Sequence, residues 1–390
     1  MKLNFIASSD CLPTKAHFLK KGTVFLVLLW LLVNLVLLWY FGMGTGSDTE
    51  VYIRLAHAWL EGDRPQGRLI WYSSYIALLA IVLGLGGSLW WVVAIQVLLS
   101  GVAALCLAKA VNKVTRDGLA SFLAVFLYIA WVKTHQWNSL IYTESFFTSM
   151  AIISFAALVM SSRYWHFLVS ALLIGITFFI RPTGFNFLLG WLVYGLVIVP
   201  VKVSYKRLIV TLVTVSVLVL LNHMLEDFAL IDSYARGEII FPDVSLGVVP
   251  PVDLKQPSLA YDPLVRLAMF VWNHPMYFFE LCLIKLVLFF GHVKPYFSLL
   301  HNSLIILLLY PLYYLAVIGF RYFPSHKLKY FLFGFIMSQG MTVMLTTNDW
   351  DGRFLTPILP FIFILSAVGI AHITHKKNLF RLRKRFKYLG

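Results

Sequence analysis

Charge is what this sequence has least of. Only 13% of its 390 residues are charged and just 17 are acidic, whereas a soluble domain carries roughly 25% charged residues. Most of the chain therefore does not face water, and no polar stretch is long enough to build a separate soluble catalytic domain. Cysteine is scarce too. Cys11, Cys106 and Cys282 lie far apart and make no metal-ligand spacing. No P-loop, dinucleotide fingerprint or His/Cys metal pattern occurs. The missing phosphate cradle argues against ATP-driven transport and, less strongly, against a cytosolic nucleotide-sugar donor. No internal repeat is visible. The N-terminus does not read as a cleavable signal: the run from Thr23 to Phe41 is too long for an h-region, and Gly42-Met43-Gly44 is a weak match to a small-x-small site.

What is present is apolar surface. The chain is 60% hydrophobic and 16% aromatic, with a mean hydropathy of +0.82. Its apolar runs are each about 17–22 residues, long enough to cross a bilayer as helices. The net charge of +15 comes in short basic clusters between those runs and in the tail. That pattern fits the positive-inside rule better than nucleic-acid binding. The aromatic residues suit interfacial belts and packing, and some of them could line a sugar pocket.

The clusters set a topology. Lys15, Lys20 and Lys21 precede the first run and place it with a cytoplasmic N-terminus. Charge parity then predicts an all-α polytopic membrane bundle of about ten transmembrane helices, with both ends inside. The expected plan is a single membrane domain. Its first transmembrane helix is 22–41, and 42–87 is a first outer loop with juxtamembrane helices. Helices two to seven occupy 88–224. A long outer loop with an interfacial helix covers 225–300, helices eight to ten occupy 301–373, and 374–390 is a basic cytoplasmic tail. Parity keeps 69–85 and 275–291 on the outer side. The second of these holds Glu280 and Lys285, which are costly at bilayer depth.

The polar residues on the outer face are the candidates for chemistry. Residues 42–68 carry Asp48, Glu50, Arg54 and further charges in an otherwise apolar chain. Asp48 and Glu50, two positions apart, could share a cation or act as base and orienting group. Equally, Asp48 could cap a helix starting near Val51. Glu144, in Tyr142-Thr143-Glu144, opens a helix, where the helix dipole favours an acid in any case. Arg181 ends an apolar run at the turn Arg181-Pro182-Thr183-Gly184, which suits phosphate or carboxylate pairing more than a snorkelling arginine. Arg353 lies at a membrane boundary, with Asp351 beside it as a charge partner or site residue. Lys285 could reach the same site or simply snorkel.

In order and topology these motifs resemble the GT-C superfamily of membrane glycosyltransferases. The likeness is to the polyprenyl-phosphate-sugar-dependent branch related to protein mannosyltransferases and the lipid A aminoarabinose transferase. It spans roughly Thr23 to Ile373. It rests on Asp48–Glu50 with the helix Val51–Leu60, the Leu69–Gly87 segment, Tyr142-Thr143-Glu144 and Phe179–Gly184. Further along come His274-Pro275-Met276-Tyr277 with Lys285 behind it, and Arg353-Phe354 before Pro357 and Pro360. The resemblance implies inverting transfer of a sugar from a polyprenyl-phosphate donor to a lipid, glycan or protein acceptor on the outer face of a bacterial inner membrane. It implies Asp48 as general base, with Glu50 second, and Arg353, Arg181 and Lys285 on the donor phosphate. Arg54, Glu144 and Asp351 are further site candidates. Some members hold a divalent metal at the first-loop acids, here Asp48 and Glu50. Asp48-Thr49-Glu50 departs from the relatives' acidic pairs, and the usual proline pair is replaced by Arg68-Leu69-Ile70. A transporter or flippase of a lipid-linked sugar is the alternative, but runs such as Leu208–Leu221 offer no ionisable residue for a polar path.

Overall fold

The computed structural model describes residues 12–387 except 162–163, 199–201, 228, 241–247, 347 and 349–350. The chain is about 80% helical. Among the described residues there is no strand, and one isolated bridge joins Gly44 to Leu140. Along the chain run α1 (Leu12–Phe41), α2 (Ser47–Leu60), α3 (Ser73–Gly84), α4 (Leu89–Thr115), α5 (Gly118–Ala130), α6 (Val132–Gln136), α7 (Thr143–Met160) and α8 (Tyr164–Phe178). They are followed by α9 (Gly184–Ile198), α10 (Val203–Asp227), α11 (Leu230–Ala235), α12 (Pro263–Asn273), α13 (Pro275–Gly291), α14 (Leu299–Tyr322), α15 (His326–Leu345) and α16 (Leu359–Lys387).

Among the described residues, eight helices are long and apolar enough to cross a membrane, or up to ten if each of two bent pairs is one span. This is a helical bundle whose helix lengths and apolarity are consistent with a multi-pass membrane protein. Its details differ from the sequence expectation in several places. The segment Gly67–Gly84, kept outside by charge parity, has the length and apolarity of a span. It includes α3, which runs beside α2: Tyr52 meets Tyr75 at one end and Leu60 meets Gly84 at the other. The described parts of helices α8 and α9, expected as spans, have 15 residues each. The chain bends by 58° between α5 and α6 and by 105° between α12 and α13. Helix α13 packs on the C-terminal half of α15, with Leu286 and Phe290 against Gly340.

Two helices form the centre. In both α7 and the span that includes α16, 83% of the membrane-length window is buried. A helix that is apolar all round and buried all round belongs in the middle of a bundle. α14 and α16 approach closely because Gly319 and Gly369 face one another. A Cβ on either would strike the backbone of the other helix, at Leu365 or Leu315. In hydrocarbon, helices associate by such close packing rather than by hydrophobic burial. By contrast α10 has none of its window buried and α1 only 11%. An apolar helix with so few protein neighbours suits contact with lipid tails.

A buried polar network sets the end of the bundle where the charges gather. Asn138 donates to Asn34 Oδ1 at 2.8 Å and to Ser100 Oγ at 3.1 Å, and accepts from Ser145 at 2.6 Å. Gln96 donates to the carbonyls of Asn138 and Leu140 and accepts from the Tyr75 hydroxyl at 3.0 Å. These bonds tie α1, α3, α4 and α7 to the turn 137–142. Buried polar groups in such a setting are tolerated only when bonded. The turn is thereby fixed next to the start of α7.

Candidate functional site

Two helix starts and two turns meet at that end. The first partner is the N-terminus of α2. The Gly44 N–H donates to the Ser139 carbonyl at 2.9 Å, and the Ile141 N–H to the Gly44 carbonyl at 3.0 Å. Thr49 accepts from the Gly46 N–H at 3.1 Å and donates its hydroxyl to the Ile141 carbonyl at 2.9 Å. Thr49, and not Asp48, therefore caps the helix, which begins at Ser47 rather than near Val51. The Asp48 side chain is left to other work.

Glu144 enters from the first turn of α7, where the helix dipole favours an acid. It is fully buried. Arg181 comes from the turn after α8, itself closed by a Gly184 N–H to Arg181 carbonyl bond of 2.8 Å. Arg353 comes from the loop before α16. Gly352, with φ +77°, makes that loop's turn, and a Cβ there would strike the His292 ring. Only glycine meets both conditions comfortably.

The four side chains form one cluster. Arg353 Nε donates to Glu144 Oε1 at 2.6 Å and its Nη2 to Asp48 Oδ2 at 3.1 Å. Arg181 Nη1 lies 3.2 Å from the same Glu144 oxygen and donates to the Arg353 carbonyl at 3.4 Å. The Arg353 guanidinium lies over the Tyr142 ring at 5.4 Å, and that of Arg181 over Phe354 at 5.3 Å. Burial disfavours the Arg353 charge, yet the carboxylates of Glu144 and Asp48 outweigh it and hold the group above the ordinary arginine range. Nearby, Tyr52 is pushed well above the ordinary tyrosine range by burial, then by Tyr72 and the two carboxylates. It is therefore a neutral wall of the site.

The carboxylates differ in access. Glu144 has 0% side-chain exposure and Asp48 has 39%. Glu144 is locked between two guanidinium groups and can orient them. Asp48 shares only one and opens toward solvent, so an incoming hydroxyl can meet it.

The remaining sequence candidates fall elsewhere. Glu50 sits on α2 about 200° around from Asp48 and is exposed. The expected Asp48–Glu50 pair thus does not converge, because the residues are helical from Ser47 onward rather than in a loop. Among the described residues no His, Cys, Asp or Glu group of three or more could hold a metal ion. Asp48 already faces a guanidinium, so this donor set does not fit the divalent metal that the resemblance allowed. Arg54 is exposed and outside the cluster. Asp351 pairs with Lys133 at 2.7 Å instead, which anchors the Arg353 loop to α6. Lys285 is fully buried, donates to the Thr346 carbonyl at 2.6 Å and lies over the Tyr234 ring at 4.8 Å. It belongs to a second apolar cluster around Tyr234, Phe270 and Leu281.

Sequence reading did not single out Lys133, Tyr52, Tyr72 or Gln339 as site residues. The tyrosines sat on apolar helix faces, and nothing local set them apart. Gln339 donates to the Phe354 carbonyl at 3.1 Å and accepts from Asn186 at 2.8 Å. Asn186 and Thr342 border a cleft of about 210 Å³ between α9, α10 and α15, otherwise lined by residues such as Leu189, Leu221 and Met341. A more open apolar hollow lies on α12 around Leu267 and Trp272. Neither contains a member of the charged cluster.

No family model, curated protein or solved structure matches this chain.

Proposed function

We propose that the protein is an integral-membrane glycosyltransferase of the GT-C kind. It moves a sugar, with inversion, from a polyprenyl-phosphate donor to an acceptor hydroxyl at the outer face of a bacterial inner membrane. The observation that carries this reading is the cluster itself. Asp48, Glu144, Arg181 and Arg353 come from four separate segments and meet at one end of a membrane-type bundle.

The chemistry follows from access and charge. The Asp48 carboxylate takes the proton of the acceptor hydroxyl as its oxygen attacks the anomeric carbon. The bond from that carbon to the phosphate oxygen breaks, and polyprenyl phosphate leaves with the electron pair. Arg353 and Arg181 offset the charge that grows on the phosphate. Guanidinium groups suit this because they bind phosphate oxygens in a fixed fork. Glu144 keeps both aimed. A dry setting at the membrane edge strengthens these interactions relative to water. In the resting cluster Asp48 and Arg353 neutralise one another, so donor phosphate would compete with Asp48 for Arg353 and release the base. The apolar cleft of about 210 Å³, bonded through Gln339 to the neighbour of Arg353, supports a donor with a hydrocarbon chain.

The test is transfer from a polyprenyl-phosphate sugar by the purified protein in vesicles, with Arg353→Ala alongside. That variant is expected to raise the donor KM far more than the acceptor KM. Equal effects on both would leave the arginine a structural role and remove the phosphate assignment.

A further inference from the structure

The opposite end of the bundle carries a second charged surface, predominantly basic. α16 has 29 residues, roughly 44 Å. Its apolar run ends at Ile373, so residues 374–387 continue the helix by roughly 21 Å beyond it. That extension holds Arg381, Arg383, Lys384 and Arg385. A basic run directly after an apolar helix suits the headgroup layer of a membrane.

Neighbouring elements bring more positive charge to the same end. The His375 ring lies 2.9 Å from Asp117 Oδ2, at the turn joining α4 to α5, which brings exposed Lys113 and Arg116 beside α16. His372 stacks on Tyr322 at 3.7 Å, which brings the exposed Arg321 of α14. Phe25 packs against Phe122 of α5 at 6.3 Å, which brings exposed Lys21 of α1. The stretches 20–26, 105–116, 318–330 and 374–390 contain no Asp or Glu. Four segments remote in sequence thus form a basic collar around the end of α16, far from Asp48 and Arg353.

We infer that this collar binds anionic phospholipid headgroups of the adjacent leaflet, with the α16 extension passing through the headgroup layer. A cluster of four or more basic residues directly after a spanning helix is attracted to anionic lipid, each adding to the affinity within a Debye length. The flanking collar adds to that attraction. The inference does not depend on the transferase reading, since the collar and the charged cluster lie at opposite ends.

The experiment uses the full-length protein in phosphatidylcholine nanodiscs with and without phosphatidylglycerol. It measures by native mass spectrometry which lipids stay bound. The wild-type protein should enrich phosphatidylglycerol, and added salt should reduce the enrichment. Replacing the four extension residues, Arg381→Gln, Arg383→Gln, Lys384→Gln and Arg385→Gln, should lower that enrichment about tenfold or more, with helix content unchanged by circular dichroism. A charge-keeping variant, with Lys at all four positions, should retain it. Undiminished enrichment in the glutamine variant would overturn the proposal. So would loss in the lysine variant, or tighter binding of duplex DNA than of phosphatidylglycerol by the wild-type protein.

Discussion

Two carboxylates in contact with the same guanidinium, at 2.6 and 3.1 Å, would look alike in a contact map, yet Asp48 and Glu144 differ in what they can do. Glu144 is fully buried and touches both arginines at 2.6 and 3.2 Å. Removing its charge strands two largely desolvated cations, which typically costs about 3–5 kcal/mol. Glu144→Gln should therefore lower the unfolding midpoint in detergent and reduce the yield of folded protein. Asp48 touches only Arg353, at 3.1 Å, and is 39% exposed. Asp48→Asn should leave the midpoint nearly unchanged, and should cut transfer by about 10²–10⁴-fold, the usual worth of a general base. Arg353 keeps its charge throughout, because Glu144 and Asp48 hold it above the ordinary arginine range against the cost of burial. The sequence made Asp48, Glu144, Arg181 and Arg353 visible because ionisable residues stand out in so apolar a chain. It misplaced Glu50 and Lys285 for a related reason. Proximity in sequence says nothing about direction around a helix, and a mid-run lysine can reach a carbonyl as readily as a site.

At the scale of elements, the loop from Asp351 to Leu355 decides where Arg353 points. Lys133 holds Asp351 at 2.7 Å, Gln339 holds the Phe354 carbonyl at 3.1 Å, and Gly352 makes the turn at φ +77°. Gly352→Ala places an L-residue in a left-handed conformation and against His292. Strain of this kind is of order 1–3 kcal/mol, read as a lower unfolding midpoint together with weaker donor use. The Lys133–Asp351 pair is partly exposed, so a double-mutant cycle on stability should return a coupling of about 1 kcal/mol or less. Helix identities along the chain were legible from apolar runs and basic flanks. The departures came where tertiary contacts override composition. Thr49 starts α2 early by bonding to the Ile141 carbonyl. The convergence of the four segments depends on the Asn138 and Gln96 network, whose long-range pairings no local pattern encodes.

For the whole molecule, the charge distribution makes a claim about orientation. The charged cluster and the basic collar occupy opposite ends of the bundle, as the positive-inside rule requires of outer and cytoplasmic faces. Cysteines placed at Leu259 and Lys327, both exposed, should react oppositely with a membrane-impermeant thiol reagent in intact cells, the first labelled and the second protected. Labelling of both from the same side would break the topology. The plan of a multi-pass bundle was readable from composition alone, since a bilayer is the one solvent that such a chain fits. The claim on which the function rests is that the cluster transfers a sugar with Asp48 as its base. Its most direct measurement is the rate of labelled sugar transfer from a polyprenyl-phosphate donor in vesicles, comparing the wild-type protein with Asp48→Asn at equal folded amounts. The account predicts robust transfer by the first and a loss of about 10²-fold or more in the second. Equal rates in the two, or no transfer by the wild-type protein with any polyprenyl-phosphate sugar, would contradict it.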